Sequence, residues 1–467
     1  MRRRDFLRRS STAAVAALVA GKTASAANNA VGLSSFKAKP DKLIFLVSDG
    51  LSAGAVTMTE RWCQRHFKRS SNWYQLLQNP AAGTIRCLQD IASADALVPD
   101  SAAAGSAWGT GIRIPNNALN FANGKPTGKP LFVRAKQQGY ATGLVTTARI
   151  THATPASFVA NVPHRREEAT IARQYLEREV DLLLGGGWNC FYAADGSPHP
   201  VLDDFLNAGY ALMRSNADLH KQVAKSKPDK RLLGLFAEDH LPYAIDRRDG
   251  GPIAQHDMPS LPDMMTAALD YLRQKPQGFM LQVEAARVDH AAHANDPAGL
   301  MHEQLEFDTC IGLALEFLKH DPDTLIIITT DHGCGGPQLN GLWPHYPDSN
   351  AAFDSLTNMS ASFEYLFQAI LEGEQPTALI RQHLQLELPP EQDEKILALC
   401  QSEGAWYGML SEVLQAQLYS KTAVGWTSQH HTAEAVDLLA IGKGAVSFPG
   451  FLKNTDVFPL LTQLFKV

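Results

Sequence analysis

Two short segments carry residue types whose spacing suits divalent-metal chemistry. In Val283-Glu284-Ala285-Ala286-Arg287-Val288-Asp289-His290-Ala291-Ala292-His293, Asp289 and His293 are four residues apart. On a helix that spacing puts both on one face, with Cβ atoms about 5–6 Å apart. In Thr329-Thr330-Asp331-His332-Gly333, the pair Asp331-His332 ends an apolar run, 325–330, that reads as a buried strand. Two metal-binding side chains at a strand's carboxyl end stand where open α/β sheets place their sites. Asp49 closes a second such run, 42–48. Carboxylate mixed with imidazole suits zinc, whereas an all-oxygen set suits magnesium.

The elements that must position these residues follow from the hydrophobic pattern. Strands are predicted at 42–48, 141–147, 180–184, 232–236, 278–283, 325–330 and 436–441. They alternate with helices at 101–108, 167–179, 261–273, 302–318 and 457–465. That alternation predicts an α/β fold: a doubly wound, mostly parallel sheet with helices on both faces. Residues 335–427 break the pattern, with helical stretches at 362–371, 377–385, 391–400 and 409–418. They read as a helical cap or insertion within one catalytic domain spanning 27–467.

The first residues have another purpose. Arg3-Arg4 precede Asp5-Phe6-Leu7, an apolar stretch runs from Ala13 to Ala20, and Ala24-Ser25-Ala26 forms a small-residue cleavage site. This predicts a twin-arginine signal peptide over 1–26 and a periplasmic or secreted protein. No other segment approaches the roughly 18 apolar residues of a membrane span. Without residues 1–26 the formal charge falls from −6 to −11, because six of the 42 basic residues and one of the 48 acidic ones lie there. So acidic a chain is a poor general nucleic-acid binder, and an anionic substrate must be drawn by local cations. The six cysteines, Cys63, Cys87, Cys190, Cys310, Cys334 and Cys400, lack CxxC spacing, and their pairing is not readable. Cys334, two residues after His332, reads either as a thiol near a metal or as a buried thiol.

Taken with Pro99-Asp100-Ser101-Ala102-Ala103-Ala104-Gly105, the metal set resembles alkaline phosphatase, a family of two-zinc, one-magnesium phosphomonoesterases. The motifs that carry the resemblance are Ser48-Asp49-Gly50, Asp100-Ser101-Ala102-Ala103, His152-Ala153-Thr154-Pro155-Ala156, Arg165, Glu284 through His293, Asp331-His332 and His431-Thr432. They stand in the family's order and span nearly all of 27–467. The resemblance implies a first zinc on Asp289, His293 and His431, and a second on Asp49, Asp331 and His332 with Ser101. It implies a third ion, usually magnesium, on Asp49, Thr154 and Glu284. It makes Ser101 the nucleophile that becomes phosphoserine, and Arg165 the clamp on two phosphate oxygens, with Asp100 orienting it. His431 fits the family's His-Thr pattern better than His430, and the spacing from His152 favours Arg165 over Arg166.

Two positions depart from the best-known bacterial members, which carry aspartate at His152 and lysine at His290. Both histidines are expected beside the site rather than as its principal ligands. Imidazole suits zinc or cobalt better than magnesium, which leaves the third ion open to replacement by either. The implied partners are small-molecule phosphate monoesters and, as in the family, a second copy of the chain, with no dedicated nucleic acid and no membrane span. A phosphodiesterase or another hydrolase of the same superfamily is the competing reading; Ser101 together with Arg165 argues for monoesters.

Overall fold

A run such as Lys42–Ser48 (KLIFLVS) has no polar side to offer water, so it belongs in a sheet covered on both faces. The computed structural model describes residues 39–78, 80, 83–192, 200–225, 229–254 and 256–467; the expected signal peptide lies outside the described residues. Ten strands form one sheet. They are β1 (Lys42–Ser48), β2 (Ile85–Asp90), β3 (Ala141–Arg149), β4 (Leu182–Gly186), β5 (Ala211–Met213), β6 (Leu232–Leu235), β7 (Phe279–Ala285), β8 (Thr324–Thr329), β9 (Val436–Gly442) and β10 (Phe451–Lys453). Their spatial order is β10-β2-β9-β8-β1-β7-β3-β4-β6-β5.

Successive side chains of β1 enter opposite cores, as the two-residue period of a strand requires. Ile44 and Leu46 pack on one side of the sheet, and Leu43, Phe45 and Val47 on the other. β1 runs parallel to both neighbours, with Val47 level with Thr329 of β8 and with Glu284 of β7. β3 continues the parallel set, Thr146 lying level with Glu284. The register therefore delivers Asp49, Glu284 and Asp331 to one carboxyl edge, on either side of β1. Only β9 runs against its neighbours β8 and β2.

Three strands escape the sequence pattern. β2, β5 and β10 lie toward the sheet's edges and are polar or very short, so no apolar period marks them. The helix expected at 302–318 begins earlier, at Pro297, because Asp296 caps Ala298 and Gly299 and proline is preset for a first helical turn. Apolar periodicity does not register a cap.

Five helices bear on the carboxyl edge of the sheet: α1 (Ser101–Thr110), α2 (Ala153–Ser157), α3 (Arg287–His293), α4 (Phe363–Leu371) and α5 (Leu410–Thr422). α1 is capped by Asp100, whose Oδ1 accepts the Ala103 N–H at 2.9 Å. Its small residues let it lie directly on α2; a Cβ at Gly109 would stand 2.1 Å from the Ser157 carbonyl oxygen. α4 and α5 lie in the segment between Gly333–Cys334 and His431–Thr432, two short strands that pair antiparallel, Cys334 opposite His431. α4 is tied to the sheet body at its N-terminus. Asp246 accepts the Ser362 N–H and hydroxyl at 2.7 and 2.6 Å, and Asp296 accepts the Phe363 N–H at 2.9 Å. Among the described residues, no helix is long and apolar enough to cross a membrane.

Candidate metal centre

Asp49 leaves β1 into a turn that only glycine can complete. Gly50 has φ +67°, and a Cβ there would stand 2.4 Å from Asp289 Oδ1. The Gly50 N–H and the His332 N–H both donate to Asp331 Oδ1, at 3.1 and 3.0 Å. That leaves Asp331 Oδ2 facing His332 Nε2 at 3.1 Å, with Asp49 Oδ1 3.7 Å from the same nitrogen. Ser101, only 3% exposed as the first residue of α1, puts its Oγ 3.3 Å from His332 Nε2. Asp49, Asp331 and His332 thus form one donor cluster, and the nucleophile candidate touches it.

A second cluster sits across Asp289. One turn of α3 brings His293 Nε2 to 3.3 Å from Asp289 Oδ2, and His431 Nε2 lies 3.6 Å from Asp289 Oδ1. The two imidazoles are aimed by backbone carbonyls. His293 Nδ1 donates to the Gln429 carbonyl at 2.6 Å and His431 Nδ1 to that of Pro99 at 2.8 Å, turning both Nε2 atoms inward, 3.0 Å apart. The Cys334 thiol joins this group. The third cluster holds Asp49, Glu284 and His152. Glu284 accepts the Thr146 hydroxyl, and the Thr154 side chain also faces it.

Electrostatics identifies what these clusters lack. Asp49, Glu284, Asp289 and Asp331 are all buried, and among the described residues no lysine or arginine lies within ion-pair reach of any of them. Burial, reinforced by Asp331, Asp289 and Glu284, holds the Asp49 carboxyl well above its usual range. Burial pushes Glu284 up to about 7. At His293 burial opposes charge, but Asp289 outweighs it and raises the ring to about 9. Buried polar atoms without a hydrogen-bond partner concentrate here: both oxygens of Asp49, Glu284 Oε1, Asp289 Oδ1, Asp331 Oδ2, Thr154 Oγ1 and His152 Nδ1. A buried, unpartnered carboxylate is costly unless paired or coordinated. This donor set fits divalent cations.

The candidate anion-holding groups lie beside it. Arg165 spans Asp100 Oδ2, at 3.0 Å from Nη1, and His152 Nε2, at 2.9 Å from Nη2. Asp100 also accepts the Asn117 N–H at 3.0 Å, so its two oxygens serve the helix cap and the arginine seat together. His290 Nδ1 accepts from Arg287 Nη1 at 2.8 Å. Its ring lies edge to face with His152 and with His240, centroids 5.8 and 4.5 Å away. Burial first, and neighbouring imidazoles and arginines after it, push all three rings well below the usual imidazole range, so they sit neutral.

The expected site residues, dispersed over nearly four hundred positions, are therefore adjacent in space. His152 comes nearer than expected, its ring nitrogen standing among the donors of the third cluster. Sequence reasoning passed over His240, Arg287 and Gln429. Arg287 lies within the segment from Glu284 to His293; the other two carry no local signature, since His240 follows an ordinary strand end and Gln429 acts through its carbonyl. All six cysteines are free.

A family model described as alkaline phosphatase matches residues 41–467. Alkaline phosphatase 4 of Bacillus subtilis is 34% identical over 381 residues, covering 79% of this chain and 77% of that one. The alkaline phosphatase of Schizosaccharomyces pombe is 30% identical over 444 residues, 90% and 80% of the two chains. The crystal structure of Thermus thermophilus alkaline phosphatase superposes with a TM-score of 0.82 at 33% identity, covering 92% of each chain.

Proposed function

This chain belongs to the alkaline phosphatase family, and on that premise we propose that Ser101 is its nucleophile, Arg165 its phosphate clamp and the three donor clusters its metal sites. The enzyme is a metal-dependent hydrolase of phosphate monoesters that works through a phosphoserine intermediate. The observation that carries the assignment of roles is the position of Ser101 Oγ, 3.3 Å from His332 at the N-terminus of α1.

Zinc is proposed for Asp289, His293 and His431 and for Asp49, Asp331 and His332, because both sets mix imidazole with carboxylate. Magnesium is proposed for Asp49, Thr154 and Glu284, an oxygen set; the neutral His152 ring has one lone pair, which Arg165 occupies at Nε2, so it joins a zinc or cobalt ion there only when Arg165 releases it. When bound, such ions supply Lewis-acid stabilisation of phosphoryl charge and activation of a coordinated hydroxyl. The chain's own residues do the rest. The amide dipoles of α1 favour an anion where Ser101 stands. Arg165, a planar group held in place by Asp100, offers its fork to two non-bridging oxygens as the phosphoryl group moves to Ser101 Oγ. His152 holds the second arm of that fork until substrate takes it. The helical segment 335–427 is proposed as a cap on the leaving-group side.

Export through a twin-arginine leader and assembly as a homodimer complete the proposal. Replacing Arg3 and Arg4 by lysine, followed by cell fractionation, tests the first; sedimentation of the purified enzyme tests the second.

The central experiment measures metal content and p-nitrophenyl phosphate turnover before and after chelation, with bis(p-nitrophenyl) phosphate alongside. Turnover of the monoester should vanish with the metals, return on their addition and exceed diester turnover. Ser101→Ala should lose about a thousandfold or more. Wild-type turnover by that variant, or preference for the diester, would refute the assignment.

A further inference from the structure

We propose that the thiolate of Cys334 is a fourth resident donor to the metal held by Asp289, His293 and His431. The inference rests on the reading of those three residues as a metal site. Cys334 Sγ, a carboxylate oxygen of Asp289 and a ring nitrogen of each histidine all lie within 4.8 Å of one another. The separations among the other three donors are 3.0, 3.3 and 3.6 Å. Ligands about 2.0–2.3 Å from one tetrahedral zinc are separated by about 3.3–3.8 Å; the two carboxylate–imidazole separations, one to each Asp289 oxygen, fall in that range. The thiol lies within 4.8 Å of each of the other donors, close enough to supply a fourth ligand.

The backbone explains its placement. Cys334 is directly opposite His431 in the short ladder, and side chains facing each other across a strand pair project to the same side. The strand is pinned from behind by Ser52, whose hydroxyl accepts the Cys334 N–H at 3.1 Å and donates to the Cys334 carbonyl at 3.2 Å. Cys334 is fully buried, and its thiol lies in hydrogen-bond reach of the Asp289 carboxylate. The other five cysteines belong to no donor cluster among the described residues. On ligation the S–H bond breaks, the proton leaves to solvent and a sulfur–metal bond forms, with no change of oxidation state. Catalytic zinc can expand to five ligands, so a resident sulfur and a phosphate oxygen are compatible. Sulfur at this position selects zinc or cobalt over magnesium.

The test uses the full, metal-loaded chain. Cobalt(II)-substituted wild type should show a near-ultraviolet thiolate-to-cobalt charge-transfer band that disappears in Cys334→Ala. X-ray absorption at the zinc edge of wild type should contain a sulfur scatterer at about 2.3 Å, a measurement that stands even if the variant does not fold. Cys334→Ala should also release one metal equivalent to a chelator at least about tenfold faster. Loaded wild type with nitrogen and oxygen scatterers only, or a band that persists in Cys334→Ala, overturns the proposal and leaves the metal-site reading intact. Retention of the full metal complement by His293→Ala overturns both.

Discussion

Arg165 reaches two partners with one planar group, and each partner has a second duty. Asp100 caps α1 while it holds Nη1; His152 stands in the third cluster while it holds Nη2. A charge-assisted hydrogen bond contributes about 1.5–3 kcal/mol, so Arg165→Ala should raise KM and the phosphate inhibition constant by roughly 10- to 100-fold. Asp100→Asn, which keeps a cap acceptor but loses the charge opposite the guanidinium, should shift the same constants less. Steady-state kinetics with phosphate as inhibitor resolves the two. The pair His152 and His290 predicts a second effect at this scale. Both rings are neutral, so the phosphate side has less fixed positive charge than a lysine would give. The double variant His152→Asp, His290→Lys should bind phosphate more tightly; unchanged or weaker inhibition would count against this. Individual donors were legible in the sequence where they end a strand or share a helical face, as Asp49, Asp331, Asp289 and His293 do. Partners recruited through a backbone carbonyl, such as Gln429, leave no mark in side-chain type.

At the scale of elements, the 335–427 segment grips the site at two points. Arg287 of α3 is buried, stacks on Tyr243 with its guanidinium 3.9 Å from the ring centre, and pairs with Glu364 of α4. Gln429, whose carbonyl orients His293, donates through its amide to Ser411 Oγ of α5 at 2.7 Å and to the Gly408 carbonyl at 3.0 Å. Gln429→Ala should therefore weaken metal retention by about tenfold, read as the rate of zinc transfer to a chromogenic chelator. Asp246 and Asp296, which hold the N-terminus of α4, predict a pH effect. Burial raises them to about 7 and about 6, whereas the unfolded chain titrates near about 4. Between those limits the folded state carries the extra protons, so their contribution to stability falls as pH rises through that window. Asp246→Asn mimics the protonated acid. Relative to wild type it should gain melting temperature as pH rises from about 4 to about 7 and hold the gain above; metal loss at low pH is common to both proteins and cancels in the difference. The sequence located helices in this segment by their apolar period. It could not say where they dock, because docking depends on single buried acids 60 to 120 positions away.

Across the whole molecule, the donors run from residue 49 to residue 431, and bringing them together leaves Asp49, Glu284, Asp289 and Asp331 buried near one another. Bound cations then act as cross-links between β1, β7, β8 and the returning strand at His431. A ligand at a thousandfold excess over its Kd adds about 4 kcal/mol per site, so exhaustive chelation should lower the melting temperature by roughly 5 °C or more. Differential scanning calorimetry of loaded, stripped and reloaded enzyme checks this; an unchanged midpoint would mean the acids are stable without cations. The architecture itself was readable, since parallel strands buried on both faces announce themselves as unbroken apolar runs. The outer strands were not, since a short strand at a sheet's margin needs no apolar face of its own.

The ladder that joins Gly333–Cys334 to His431–Thr432 is only two residues long on each side, yet the chain both departs into the helical segment and comes home through it. Whatever is spliced between those strands, its two ends are clamped where metal donors stand. Changes of length inside that excursion should therefore leave the donors in place, provided the contacts of Glu364 with Arg287 and of Ser411 with Gln429 survive. The donor frame stays still while the excursion between its ends changes.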